Sequence, residues 1–159
     1  MPSGSQPSAT SNFITAAVAK VGPAVVKVDA VQIVSQNPLV DKFLGNLASE
    51  ERIEKGTGSG FILSADGRIV TNAHVVDGVD QVKVTLKSGR VLVGKVVGTD
   101  RVTDVAVLQV DAQNLPTVTL GNSDKLVQGE WAIAIGNPLG LDNTVTVGII
   151  SATDRKSVV

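Results

Sequence analysis

The chain has 159 residues, with 14 Lys and Arg against 15 Asp and Glu, one His, no Cys and 43% hydrophobic residues. Its length suits one domain or little more; the lack of Cys excludes a disulfide scaffold, a thiol nucleophile and a Cys-built metal centre, and a lone imidazole excludes a multi-His one. A formal charge of -1 gives no basic field for a nucleic-acid backbone, and the longest apolar run, Trp131 to Ile135, is far short of the roughly 20 residues of a membrane-spanning helix.

Val (28), Ile (9) and Thr (12) far outnumber Leu (12), a β-branched excess that suits pleated surfaces and predicts an all-β protein. Met1 to Ser11 is Ser/Pro-rich, with neither the basic start nor the apolar core of a signal peptide, and reads as a disordered arm. Asn12 to Lys20 carries Phe13, Ala16, Ala17 and Lys20 at helical spacing before Gly22-Pro23, which predicts one short helix. From Ala24 to Val34 the period becomes two, with Val26, Val28 and Ala30 on one face and Lys27 and Asp29 on the other. Residues 35–56 read as a long polar loop of the kind that is usually functional or disordered. Strands are then expected at Gly60–Leu63, Arg68–Thr71, Gln81–Lys87, Arg90–Gly98, Val105–Val110, Thr117–Leu120, Trp131–Ile135 and Thr144–Ser151. Asp66-Gly67 signals a hairpin in which both turn positions need positive φ. Short strands punctuated by Gly, Asn and Asp argue for a small antiparallel barrel or sandwich. Trp131 reads as core or packing between barrels.

His74 is the only side chain that titrates near neutrality without help, and it follows a strand end in Thr71-Asn72-Ala73-His74. A lone His is more often structural than catalytic. Asp104 bears on that choice, because it stands at the mouth of the apolar run Val105–Val110, where a carboxylate needs a donor, and an imidazole N–H would serve. The competing reading is a turn acid bonded to backbone amides, as fits Asp100, Asp111, Asp124 and Asp142. No metal-ligand spacing, phosphate loop or cofactor motif is present.

Three blocks, GTGSGFILSADGRIVTNAHVV (Gly56 to Val76), TDVAVLQV (Thr103 to Val110) and LGNSDKLVQGEWAIAIGNPLGLDNTVTVGIIS (Leu120 to Ser151), resemble the HtrA/Deg family of trypsin-like serine proteases, above all its cyanobacterial branch. The resemblance implies His74 as general base and Asp104 as the acid that orients it. It also implies a trypsin-like fold of two antiparallel β-barrels, with the first barrel at 12–115 and the truncated start of the second at 116–159. Family members take unfolded or damaged proteins as substrates, act in the periplasm or another extracytoplasmic compartment, and form homotrimers when full length. The family's nucleophile lies in a G-N-S-G-G block that is expected downstream of Val159. Gly121-Asn122-Ser123 imitates only its first half, because Asp124-Lys125 follow, and Ser59 in Gly58-Ser59-Gly60 is a second decoy; both serines read as turn residues. The 159 residues alone are therefore expected to be inactive. Two alternatives are a catalytically silent barrel that binds proteins as a chaperone module, and an unrelated SH3-like or OB-like barrel in which His74 and Asp104 are only surface residues.

Overall fold

A computed structural model describes residues 11–34, 51–140 and 142–153. The arm expected at 1–11 therefore lies outside the described residues except for Ser11, and so does 35–50 of the long loop.

Helix α1, Phe13–Val21, starts where Asn12 caps it: the Asn12 side-chain oxygen accepts the N–H groups of Ile14 and Thr15, and the Thr15 hydroxyl oxygen accepts the Asn12 N–H. This reciprocal capping satisfies donors that a helix start leaves without partners. Gly22–Ala24 forms one 3₁₀ turn, with Pro23 at a position where its missing N–H costs nothing, and β1, Val25–Val34, follows.

The remaining strands are β2 (Glu51–Ile62), β3 (Arg68–Thr71), β4 (Gln81–Thr85), β5 (Val91–Asp100), β6 (Val105–Val110), β7 (Trp131–Gly136) and β8 (Thr144–Ile149). The first six close an antiparallel barrel in the order β1-β2-β3-β6-β5-β4, and β7 pairs with β8 in a separate two-stranded sheet. This is the all-β, trypsin-like arrangement expected, one closed barrel plus two strands of a second sheet. Period-two alternation fills the barrel: Val26, Val28 and Ala30 of β1, Ile62, Ile69, Val84 and Leu108 are all fully buried. Each Val, Ile or Leu taken out of water in this way contributes about 1.5–3 kcal/mol.

Several sequence-based expectations need correction. The loop expected to reach residue 56 ends sooner, because Glu51 to Glu54 pair with Val31 to Val34 across a bulge at Ala30/Val31. A ladder of backbone hydrogen bonds needs no apolar side chains, so the charged run Glu51-Arg52-Ile53-Glu54-Lys55 gave no strand signal. Thr117–Leu120 is not a strand; it is held to the barrel by the Val118 N–H, which donates to the Ile62 carbonyl at 3.0 Å. At Asp66-Gly67 only Gly67 has positive φ (104°), in a longer loop closed by the Leu63 N–H on the Arg68 carbonyl. Ser59 lies inside β2, not in a turn. Trp131 is 64% exposed and packs against Phe13 of α1, with ring centroids 5.5 Å apart. Asp29, expected on the outer face, is fully buried there by Lys27, Thr57 and Lys83.

Candidate active site

The barrel register assembles the site. β3 and β6 run antiparallel with Thr71 opposite Ala106, so two steps beyond the ladder Ala73 faces Asp104, and the Ala73 N–H donates to the Asp104 carbonyl at 3.2 Å. On one side the chain turns into the 3₁₀ segment Ala73–Val76, whose Ala73, Val75 and Val76 are buried, leaving His74 on the outside. On the other, Asp100 folds the approach to β6: its carboxylate accepts the Val102 N–H and the Thr103 hydroxyl. Asp104 then enters β6 with φ of 57°, a left-handed conformation that Asp tolerates better than most residues.

His74 and Asp104 are brought into contact. The imidazole Nδ1 lies 2.7 Å from Asp104 Oδ2, while Oδ1 accepts the His74 backbone N–H at 2.9 Å. Asn72 completes the grip, its Nδ2 donating to the Asp104 carbonyl at 3.1 Å and to Oδ2 at 3.2 Å. The His74 side chain is 71% exposed and that of Asp104 41%. The backbone N–H of His74, then its imidazole and the Asn72 amide, hold the Asp104 carboxyl below the usual carboxylate range. An ionised carboxylate only accepts, so Nδ1 carries the ring proton and Nε2 keeps a lone pair on the exposed side chain. An imidazole so arranged can take a proton from a hydroxyl and keep its orientation while charged.

Sequence reasoning missed Asn72, although it lies inside the quoted block; its role depends on strand register, which no local pattern reveals. It also missed an exposed ion pair between Arg101 and Asp77 that joins the same two segments. The serines weighed above are engaged elsewhere. Ser59 Oγ accepts the Asn137 N–H at 2.8 Å, and Ser123 opens the 3₁₀ turn Ser123–Lys125. Two clefts flank the region. One of about 360 Å³ lies beside the His74 turn, between Ala73, Val76, Asp77, Asp80, Val96 and Arg101. The other, about 410 Å³ and almost wholly apolar, separates α1, the barrel and β7. Among the described residues no group of three or more His, Asp or Glu is placed to hold a metal ion, and no helix is long and apolar enough to cross a membrane.

A family profile described as "Trypsin-like peptidase domain" matches residues 58–158. Over 99% of the chain, 57% of residues are identical to a Synechocystis protein named serine protease HhoB. Solved structures of the HtrA-type protease AlgW with decapeptide superpose with TM-scores of 0.74 and 0.72, at 42% and 43% identity, over 92% and 89% of this chain. The chain belongs to the HtrA/Deg family of trypsin-like serine proteases. A Halomonas elongata relative, named a DegP-like periplasmic serine endoprotease, shares 60% identity over 67% of the chain. The chain spans 40% of the length of HhoB, 22% of the Halomonas relative and just under half of the AlgW chains. Of its three HtrA/Deg blocks, the first carries β2 from Gly56 onward, β3 and the His74 turn, the second carries Asp104 and β6, and the third carries β7 and β8.

Proposed function

We propose that the chain supplies the base and its orienting acid to a serine endopeptidase of the HtrA/Deg protein quality-control type. The observation that carries this reading is the double grip of Asp104 on His74, through the ring at 2.7 Å and the backbone N–H at 2.9 Å. In the proposed reaction a serine hydroxyl from outside the 159 residues attacks a peptide carbonyl and gives its proton to His74 Nε2. Asp104 steadies the imidazolium, and the same proton then passes to the leaving amine, so the acyl-enzyme forms with no net proton gained or lost. Two backbone N–H groups must also receive the oxyanion, and we assign them, like the serine, to sequence outside this chain. The substrates are unfolded proteins, whose extended segments can reach an exposed imidazole. The DegP-like relatives named periplasmic favour an extracytoplasmic compartment for this chain, and we propose assembly of the whole protein as a homotrimer.

The experiment replaces the matching segment of full-length HhoB with this chain and follows casein cleavage. The hybrid is expected to cleave, the hybrid with His74→Ala is not, and the 159 residues alone are not. A folded hybrid that cleaves equally well without His74 overturns the assignment of the base. Casein cleavage by the 159 residues alone, lost on His74→Ala, overturns the assignment of the nucleophile to another segment.

A further inference from the structure

The inward-facing positions of β2 at residues 56, 58 and 60 are all glycine, in a barrel whose other inward positions, apart from Gly94 and Thr71, are filled by Val, Ile, Leu and Ala. Gly56, Gly58 and Gly60 stand directly opposite Ala30, Val28 and Val26, which are fully buried, so the glycines share their face and point into the barrel. Three absent side chains along one strand leave a trough in the lumen. Within the described residues its lower part is filled by the turn that carries His74. A Cβ on Gly58 would lie 2.6 Å from Val75 Cγ2, and one on Gly56 would lie 2.9 Å from the Val75 carbonyl oxygen. Both separations are too short for carbon, so the turn sits as deep as it does only because these positions bear no side chain.

We infer that Gly56 and Gly58 are positioning residues for His74: they form a seat that fixes how deeply Val75 inserts into the barrel, and through it the reach of the imidazole to Asp104. The link is short. Val75 follows His74 directly, whereas Asp104 is anchored by β6 and by Asn72 and Ala73, which precede the inserted residue, so raising Val75 moves His74 relative to that carboxylate. The His74 N–H to Oδ1 bond and the ring contact then lengthen together, because both belong to the displaced segment. A displacement of about 1 Å is enough to degrade a proton-transfer geometry a hundredfold. The inference rests on the proposed role of His74 only for its catalytic meaning, and the seat itself can be tested separately.

The test uses the ¹⁵N-labelled full chain, in which the single imidazole and the His74 amide are both resolvable by NMR. Gly58→Ala is expected to reduce hydrogen-exchange protection of the His74 amide at least tenfold more than that of the β6 amides, and to raise the fraction of ring protonated at Nε2. The double variant Gly58→Ala with Val75→Ala, which removes the colliding methyls, is expected to restore both. If Gly58→Ala fails to fold, Val75→Ile adds bulk from the opposite side and is read in the same way. Protection that falls uniformly across the barrel, or a double variant that does not restore the His74 amide, overturns the inference and leaves the glycines a purely structural role. Asp104→Asn separates the two readings: if it leaves the ring tautomer and casein cleavage by the HhoB hybrid unchanged, the orienting role proposed for Asp104 fails, while the amide still decides the seat.

Discussion

His74 and Asp104, thirty positions apart in the chain, meet at 2.7 Å between Nδ1 and Oδ2, and the same carboxylate accepts the His74 backbone N–H at 2.9 Å. One acid therefore grips one residue twice, at the ring and at the main chain, which fixes both where the ring sits and which nitrogen is protonated. An exposed ion pair alone contributes little to stability. In the proposed reaction its value is orientation, because Nε2 has to be presented as an acceptor each time a proton is moved.

Asp104→Asn is expected to reverse that choice. An Asn in the same place can offer its amide N–H to the ring, which makes Nδ1 the acceptor and puts the proton on Nε2. In the HhoB hybrid, casein cleavage should then fall by about 10⁴-fold with little change in folding. Ring ¹⁵N shifts of the single histidine measure the tautomer directly, and an unchanged tautomer with unchanged cleavage contradicts the role given to Asp104.

Acid lability is expected from Asp29. Burial pushes its carboxyl up most strongly, but hydrogen bonds from Lys27 and Thr57 and the charges of Lys27 and Lys83 together outweigh this and hold it below the ordinary carboxylate value. An acid with a lower pKa folded than unfolded binds more protons when unfolded, so stability rises with pH in that range. The contribution is complete above the unfolded value of about 3.9 and is lost as pH falls through the folded one. Urea midpoints should therefore drop steeply below about pH 4, and Asp29→Asn should flatten that drop while costing about 1–3 kcal/mol at neutral pH. An equally steep acid limb in Asp29→Asn would assign the lability to other carboxylates, Asp104 first among them, since its pKa is also lowered.

The sequence made some of this legible and hid the rest for identifiable reasons. Alternation in β1 revealed one wall of the core, because Val26, Val28 and Ala30 obey period two; in β6 the buried Ala106, Leu108 and Val110 also alternate, but within an apolar run that does not mark its inner face. The same rule placed Asp29 outside, and it does face outward; it is met there by Lys27 of its own strand and by Thr57 and Lys83 on the two neighbouring strands, and those cross-strand partners cannot be read from one strand. Trp131 opens an apolar run and so suggested core, yet β7 has only β8 beside it among the described residues and its face stays open. His74 and Asp104 could be found because one is unique in composition and the other sits against an apolar strand. Asn72 and the Gly58–Val75 contact could not, since both depend on the register that closes the barrel.

Trp131, the only tryptophan, reports how α1 sits on the second sheet. Its ring is 64% exposed with Phe13 5.5 Å away, so emission should lie well to the red and be accessible to acrylamide. Phe13→Ala should raise the quenching constant, and a double-mutant cycle with Trp131→Ala should give a coupling of about 0.5–1.5 kcal/mol, the usual range for an aromatic pair. No coupling, with quenching unchanged, would mean that the helix is held by its apolar lining residues Ala17 and Val21 alone.

Ser59 provides the sharpest contrast with His74, because its Gly-Ser-Gly setting imitates a nucleophile while its hydroxyl is already committed. Ser59 Oγ accepts the backbone N–H of Asn137, a fully buried residue at the end of β7, at 2.8 Å. That bond ties the second sheet to the barrel, and removing the acceptor leaves a buried amide without a partner, at a cost of about 1–3 kcal/mol. Ser59→Ala should therefore lower the urea midpoint and increase hydrogen exchange at Asn137 and along β7. In the HhoB hybrid it should keep casein cleavage within about tenfold of the parent, whereas His74→Ala should abolish it, the scale expected when a group of the acyl-transfer relay is lost. Cleavage that disappears in Ser59→Ala while the hybrid stays folded would make this hydroxyl the attacking group and would require a different geometry around His74.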